Sequence, residues 1–212
     1  MAYNSYRPSQ SSTPVVLNLI IINAIVFVAQ LVLDKTGLDV TGGTSFGWLT
    51  SRIGLWSIAT GLFSPYQLVT HMFAHGGFFH ILFNMYALWL FGAPLEKIWG
   101  PKRFLIFYFV CGLAAGVAEM FLVPIGFAIG ASGAIMGCLA AFAYTFPNVQ
   151  FYILPIPFPI KAKYLAIIYA AFDLFGQFSG FGGNVAHFAH LGGLVMGLIL
   201  CIIWKKSGKN RY

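Results

Sequence analysis

In an otherwise oily chain, four polar side chains offer chemistry. Ser132 lies in Gly130-Ala131-Ser132-Gly133, and His190 lies in Ala189-His190-Leu191-Gly192-Gly193. His80 and Asn84 stand four residues apart, the spacing that puts two side chains on one face of a helix. A serine hydroxyl beside a neutral imidazole is an activated nucleophile. An imidazole and a carboxamide side by side can donate hydrogen bonds to an oxyanion. The glycines around Ser132 let backbone and substrate approach closely, and N–H groups at a helix start face developing negative charge. Each residue also has a plainer use. A serine at a helix start is an ordinary N-cap, and a buried histidine can bond a backbone carbonyl while neighbouring glycines serve packing. On these residues alone both readings stand.

The serine and histidine need helices that bring them together. His190, Gly193 and Gly197 fall on one helical face. Ser132 is followed by Gly133 and Gly137, a small-xxx-small pair. Such faces let two membrane helices pack closely. If these two faces meet, the Ser132 hydroxyl comes within hydrogen-bond reach of His190. His75 precedes its helix and is expected to pin a loop. His71, His75 and His80 lack the carboxylate, cysteine or His-Glu-x-x-His pattern of a zinc site, so no metal and no cofactor is expected. His187, one turn before His190, reads as an interfacial histidine. Of the acids Asp34, Asp39, Glu96, Glu119 and Asp173, only Asp173 lies mid-segment in the fifth apolar run. Nothing in the sequence sets it beside His190, so a Ser-His dyad is expected, not a triad. Glu96 is expected to pair with Lys97, Lys102 or Arg103.

The surroundings are those of a bilayer. The chain of 212 residues is 59% hydrophobic and 8% charged, with a mean hydropathy of +0.82. A soluble domain carries about 25% charged residues. Apolar runs at 15–33, 78–99, 104–122, 132 to just before Pro147, 164–178 and 186–204 predict six helices. The fourth is too short to span. The glycine-rich segment 126–130 before it is expected to dip inward, setting Ser132 at the floor of a cavity open to the outside. The net charge of +7 is gathered in short clusters between apolar runs, which favours membrane orientation over nucleic-acid binding. Ten of the twelve Lys and Arg fall on one side when both termini are cytoplasmic; Lys35 and Arg52 are the exceptions. Cys111, Cys138 and Cys201 lie inside apolar runs and read as small core residues. The polar N-terminus and long first run suggest a retained anchor without a removable signal peptide. The long outer connection 34–70, with Trp48, Trp56, Phe63 and Tyr66, reads as an aromatic belt in the interface. The chargeless loop 180–184 has the composition of a flap.

These residues together resemble the rhomboid family of intramembrane serine proteases over about residues 14–204. His75-Gly-Gly-Phe-Phe-His80-Ile-Leu-Phe-Asn84 matches the family's His-x4-His-x3-Asn. Gly130-Ala131-Ser132-Gly133 matches Gly-x-Ser-Gly. Ala189-His190-x2-Gly193-x3-Gly197 matches Ala-His-x2-Gly-x3-Gly. The resemblance implies an all-α, six-helix bundle of the minimal bacterial kind, with both termini cytoplasmic. It divides the chain into a cytoplasmic tail at 1–13, one domain at 14–204 and a basic tail at 205–212. It implies that Ser132 attacks a peptide carbonyl while His190 shuttles the proton. His80, Asn84 and the Ser132 N–H would hold the oxyanion, and His75, Gly130, Gly133, Gly137, Gly193, Gly197 and Met136 would support the site. Substrates would be single-pass membrane proteins cut near the outer face of a bacterial cytoplasmic membrane. The fifth helix and the 180–184 loop would form gate and cap. The alternative is a rhomboid-like pseudoprotease that binds membrane clients without cutting them. Two positions depart from the pattern. Tyr66-Gln67 stands where the family often has Trp-Arg, and Met136 where an aromatic often packs on the catalytic histidine.

Overall fold

Backbone N–H and C=O groups find no water in hydrocarbon, so a chain this apolar must satisfy them internally, and it does so with helices. The computed structural model describes residues 13–36, 46–152, 157–179 and 186–206. The expected flap at 180–184 lies outside the described residues. Among the described residues, four helices are long and apolar enough to cross a bilayer: α1 (Pro14–Leu33), α2 (Phe78–Trp99), α3 (Pro101–Leu122) and, furthest along, α6 (His187–Lys206). Between them come α4 (Ser132–Thr145) and α5 (Ala162–Ser179). Within α2 the stretch Leu88–Gly92 widens into a π-helical turn, which the sequence did not announce. Gly92 sits there against Phe104 and Val16, where a methyl group would fall 2.9 Å and 3.3 Å from their side chains.

At 14 residues, α4 rises only about 21 Å, against a hydrocarbon core of about 30 Å. It tolerates this by sitting inside the protein. Residues from Gly133 to Ala143 are nearly all buried, and α4 packs on α3, α5, α6 and the wide turn of α2. A helix apolar all round is a core helix. The outer helices have the reverse pattern: on α1, Val16, Leu19, Asn23 and Gln30 are buried while Ile25 and Val32 are more than half exposed. Lipid, not water, accounts for the exposed large apolar side chains.

The connection from 34 to 77 is not only a surface belt. Leu55–Trp56 pairs antiparallel with Phe127–Ala128, in the register Leu55↔Ala128 and Trp56↔Phe127. The Ser57 N–H donates to the Gly126 carbonyl at 3.0 Å, and the Ser57 hydroxyl donates to the Val123 carbonyl at 2.6 Å. The glycine-rich segment ahead of α4 is thus held by the connection between α1 and α2. This corrects the place of Trp56. It is buried, packs on Phe127 in a tilted arrangement with ring centroids 4.4 Å apart, and donates its indole N–H to the Ser51 carbonyl. Tyr66 stays exposed.

Gln67 occupies one of the two departing positions, and it is a node of the connection. Its side-chain oxygen accepts from the N–H of Trp56 and of Ser64, and its amide donates to the carbonyls of Leu62 and Arg52. A buried carboxamide with its hydrogen-bonding capacity used in this way ties three stretches of one loop together.

Glu96, expected to pair with a cation of the turn, has a different task. Its two oxygens accept the N–H groups of Val15 and Val16, at 2.9 Å and 2.8 Å. A carboxylate here satisfies orphan donors and meets the positive end of the α1 dipole. Arg103 lies instead over the Trp204 ring, 4.0 Å from its centroid, binding the end of α6 to the start of α3.

Candidate active site

α4 and α6 cross on glycine. A methyl group at Gly193 would land on the Gly133 carbonyl, and one at Gly197 would lie 2.5 Å from the Gly137 oxygen. One at Gly137 would meet the Cys111 sulfur at 2.6 Å and the Gly193 carbonyl at 3.1 Å. The two helices touch backbone to backbone, and only glycine allows it. That contact fixes the distance between residues one turn away. Ser132 Oγ and His190 Nε2 stand 2.7 Å apart.

The serine is not a cap. The residue before α4 is Ala131, and no side chain caps the helix. The Ser132 hydroxyl points to the imidazole instead. Gly130, with φ +122°, adopts a backbone conformation that suits glycine, and its N–H donates to the His71 carbonyl at 2.8 Å. A side chain at Gly130 would lie 2.9 Å from His80 Nε2 and 3.6 Å from Ser132 Oγ. The space over Gly130 is therefore bordered by the serine oxygen and by His80 Nε2.

The proton on His80 can be assigned from its partner. The Gly76 N–H donates to His80 Nδ1 at 3.1 Å. Nδ1 is thus an acceptor, and in the neutral ring the proton sits on Nε2, the atom that faces Gly130. Asn84 is buried on the same face. One of its amide hydrogens goes to the His80 carbonyl at 2.8 Å, which leaves the second. His75 belongs to the frame. Its N–H donates to Gln30 Oε1, and Gln30 Nε2 donates back to its carbonyl. Burial lowers the His75 imidazole to about 4, with the nearby His80 acting in the same direction. Burial likewise lowers His71 to about 4. Neutral His71 donates its Nδ1–H to the Gln67 carbonyl at 2.8 Å. Met136 is half-buried against the core of the bundle.

Two residues near His190 differ from expectation. Asp173 on α5 lies beside it, its Oδ1 3.0 Å from His190 Nδ1. His187 is buried, not interfacial, and its Nδ1 is 2.9 Å from the same oxygen. The expectation that no acid stands beside His190 is therefore corrected. It failed because the contact depends on how α5 is rotated against α6, and a helix whose buried and exposed faces are both mostly apolar does not write its rotation into its hydropathy. Glu119 on α3 was also unassigned. Its Oε2 accepts the Ala189 N–H at 3.0 Å in the first turn of α6, next to the histidine. The one available signal was the cost of an acid in a membrane segment.

A buried helix too short to span, carrying a serine against a histidine inside a bundle of membrane-length helices, defines an integral membrane protein with a Ser–His site. The chain belongs to the rhomboid family: the family model for the Rhomboid domain matches residues 62–207. Relatives include Rhomboid protein 1, mitochondrial, of Saccharomyces cerevisiae, 30% identical over 142 residues, covering 64% of this chain and 41% of that protein. Rhomboid protease GluP of Bacillus subtilis is 34% identical over 136 residues, 62% of this chain and 24% of its own length. Putative rhomboid protease YdcA of the same organism is 28% identical over 150 residues, 69% of this chain and 71% of that protein. The chain thus spans less than half the length of the first two.

Proposed function

We propose that the protein is an intramembrane serine endopeptidase that cuts single-pass membrane proteins near the outer face of the bilayer. The observation that carries this reading is the 2.7 Å approach of Ser132 Oγ to His190 Nε2 at the start of a buried helix. His190 Nε2 takes the hydroxyl proton as Ser132 Oγ bonds to the peptide carbon. The carbonyl pair moves onto oxygen, which the His80 Nε2–H, the second Asn84 N–H and the Ser132 N–H would face. The tetrahedral species collapses, the C–N bond breaks, and His190 gives its proton to the leaving amine. Water then enters and loses a proton to His190 as it adds to the acyl carbon. The Ser132 Oγ–acyl bond breaks as His190 returns that proton to Ser132 Oγ, releasing the acid. We read both termini as cytoplasmic from the charge of the loops, and the host as a bacterial cytoplasmic membrane from the likeness to the six-helix form.

The test uses the purified full chain in detergent with a fluorophosphonate and a single-span model substrate. Covalent label on Ser132, absent from His190→Ala, together with cleavage of the substrate, is the expected result. A wild-type protein that neither labels nor cleaves overturns the reading and leaves the client-binding alternative in its place. In the same assay Asn84→Ala is expected to lower turnover by about 10²–10³-fold, the usual loss for one oxyanion donor. An unchanged rate removes Asn84 from that role.

A further inference from the structure

A base must keep the right nitrogen bare. His190 serves Ser132 through Nε2, so its ring proton has to sit on Nδ1. Nδ1 faces Asp173 Oδ1 at 3.0 Å. A carboxylate only accepts, so this contact selects the Nδ1–H tautomer and leaves the Nε2 lone pair toward the serine hydroxyl at 2.7 Å. We propose that Asp173 is the positioning residue of the site, fixing the tautomer and tilt of His190 and stabilising the imidazolium formed during attack. This rests on the protease reading and extends it from a pair to a Ser132–His190–Asp173 line.

The arrangement is built, not incidental. Asp173 is 3% exposed, and a buried acid in a membrane segment persists only with partners. It has two, because His187 Nδ1 reaches the same oxygen at 2.9 Å. His187 and His190 sit three residues apart on α6, so the acid is gripped from two points along one helix face. The other ionisable groups around His190 do not duplicate this. Glu119 is engaged by the Ala189 N–H, and His80 offers its Nε2 toward Gly130. Asp173 meets the ring at Nδ1, the nitrogen that Ser132 does not use. Since Asp173 is on α5 and His190 on α6, the contact holds only while those helices are packed together.

Two measurements on the full chain in detergent test this. The first is the tautomer of His190 in ¹⁵N-histidine-labelled wild-type protein near neutral pH, assigned by comparison with His190→Gln. The expected spectrum has a protonated Nδ1 and a bare Nε2; a protonated Nε2 in the neutral ring overturns the proposal. This readout needs no substrate, so it stands or falls separately from the protease reading. The second is Asp173→Asn, with thermal stability recorded alongside. We expect kcat to fall by at least ~10-fold with KM nearly unchanged, and the rate of fluorophosphonate labelling to fall in parallel. A folded Asp173→Asn with wild-type kcat and labelling rate sinks the role of Asp173 while the serine protease reading survives.

Discussion

Replacing Ser132 with alanine is expected to remove cleavage of a single-span substrate, a loss on the order of 10⁴–10⁶-fold, while the protein stays folded. Both halves of this result follow from local geometry. The hydroxyl is not a helix cap, so α4 does not lose its start. Only the hydrogen bond to His190 is lost, which costs about 1 kcal/mol. A methyl group fills less space than the side chain it replaces, and the glycine crossing next to it is untouched. His190→Ala is expected to fall to the same floor, and the double variant to go no lower, because the two residues act as one unit. Quantitative cleavage by the purified variants, with melting temperatures beside it, decides the matter. Substantial cleavage by Ser132→Ala would assign the nucleophile elsewhere. Multiplying losses in the double variant would mean that serine and histidine serve separate functions.

Gly193→Val carries the second large effect, and it touches no reacting group. The valine side chain would occupy the place of the Gly133 carbonyl. The helices have no flexible neighbour to displace there, since the obstruction is backbone. They must part, and the 2.7 Å hydrogen bond one turn away must lengthen. A misplacement of about 1 Å at a catalytic pair costs about 10²-fold, and overpacking at such a contact costs about 1–3 kcal/mol or more. Loss of cleavage by at least ~100-fold is therefore expected, with a lowered melting temperature and slow labelling of Ser132 in the fraction that folds. Val195→Ala provides the comparison. That side chain is on the same helix but faces outward, and its removal is expected to leave labelling unaltered. Wild-type labelling of folded Gly193→Val would show that the glycine crossing does not set the distance.

Much of this protein is legible in the chain itself. Hydropathy runs give the helices to within a few residues, because in lipid a helix must be long and continuous to satisfy its own backbone. The i, i+4 spacing of His80 and Asn84 and the glycine faces around Ser132 and His190 are also sequence facts, since helical geometry converts spacing directly into shared faces. What the chain does not state is rotation. In water the polar side of a helix marks its outside; here buried and exposed faces are both apolar, and the pattern is nearly silent about which residues turn inward. Asp173 and His190 are 17 residues apart, on successive helices, and only the packing of α5 on α6 sets one against the other. The same holds for Glu96 at the start of α1 and for Trp56 against Phe127. Sequence determined which helices form and which residues share a face; tertiary packing decided which faces meet. It thereby placed an acid behind the histidine, because contacts between helices depend on crossing angle and rotation, which local periodicity does not encode.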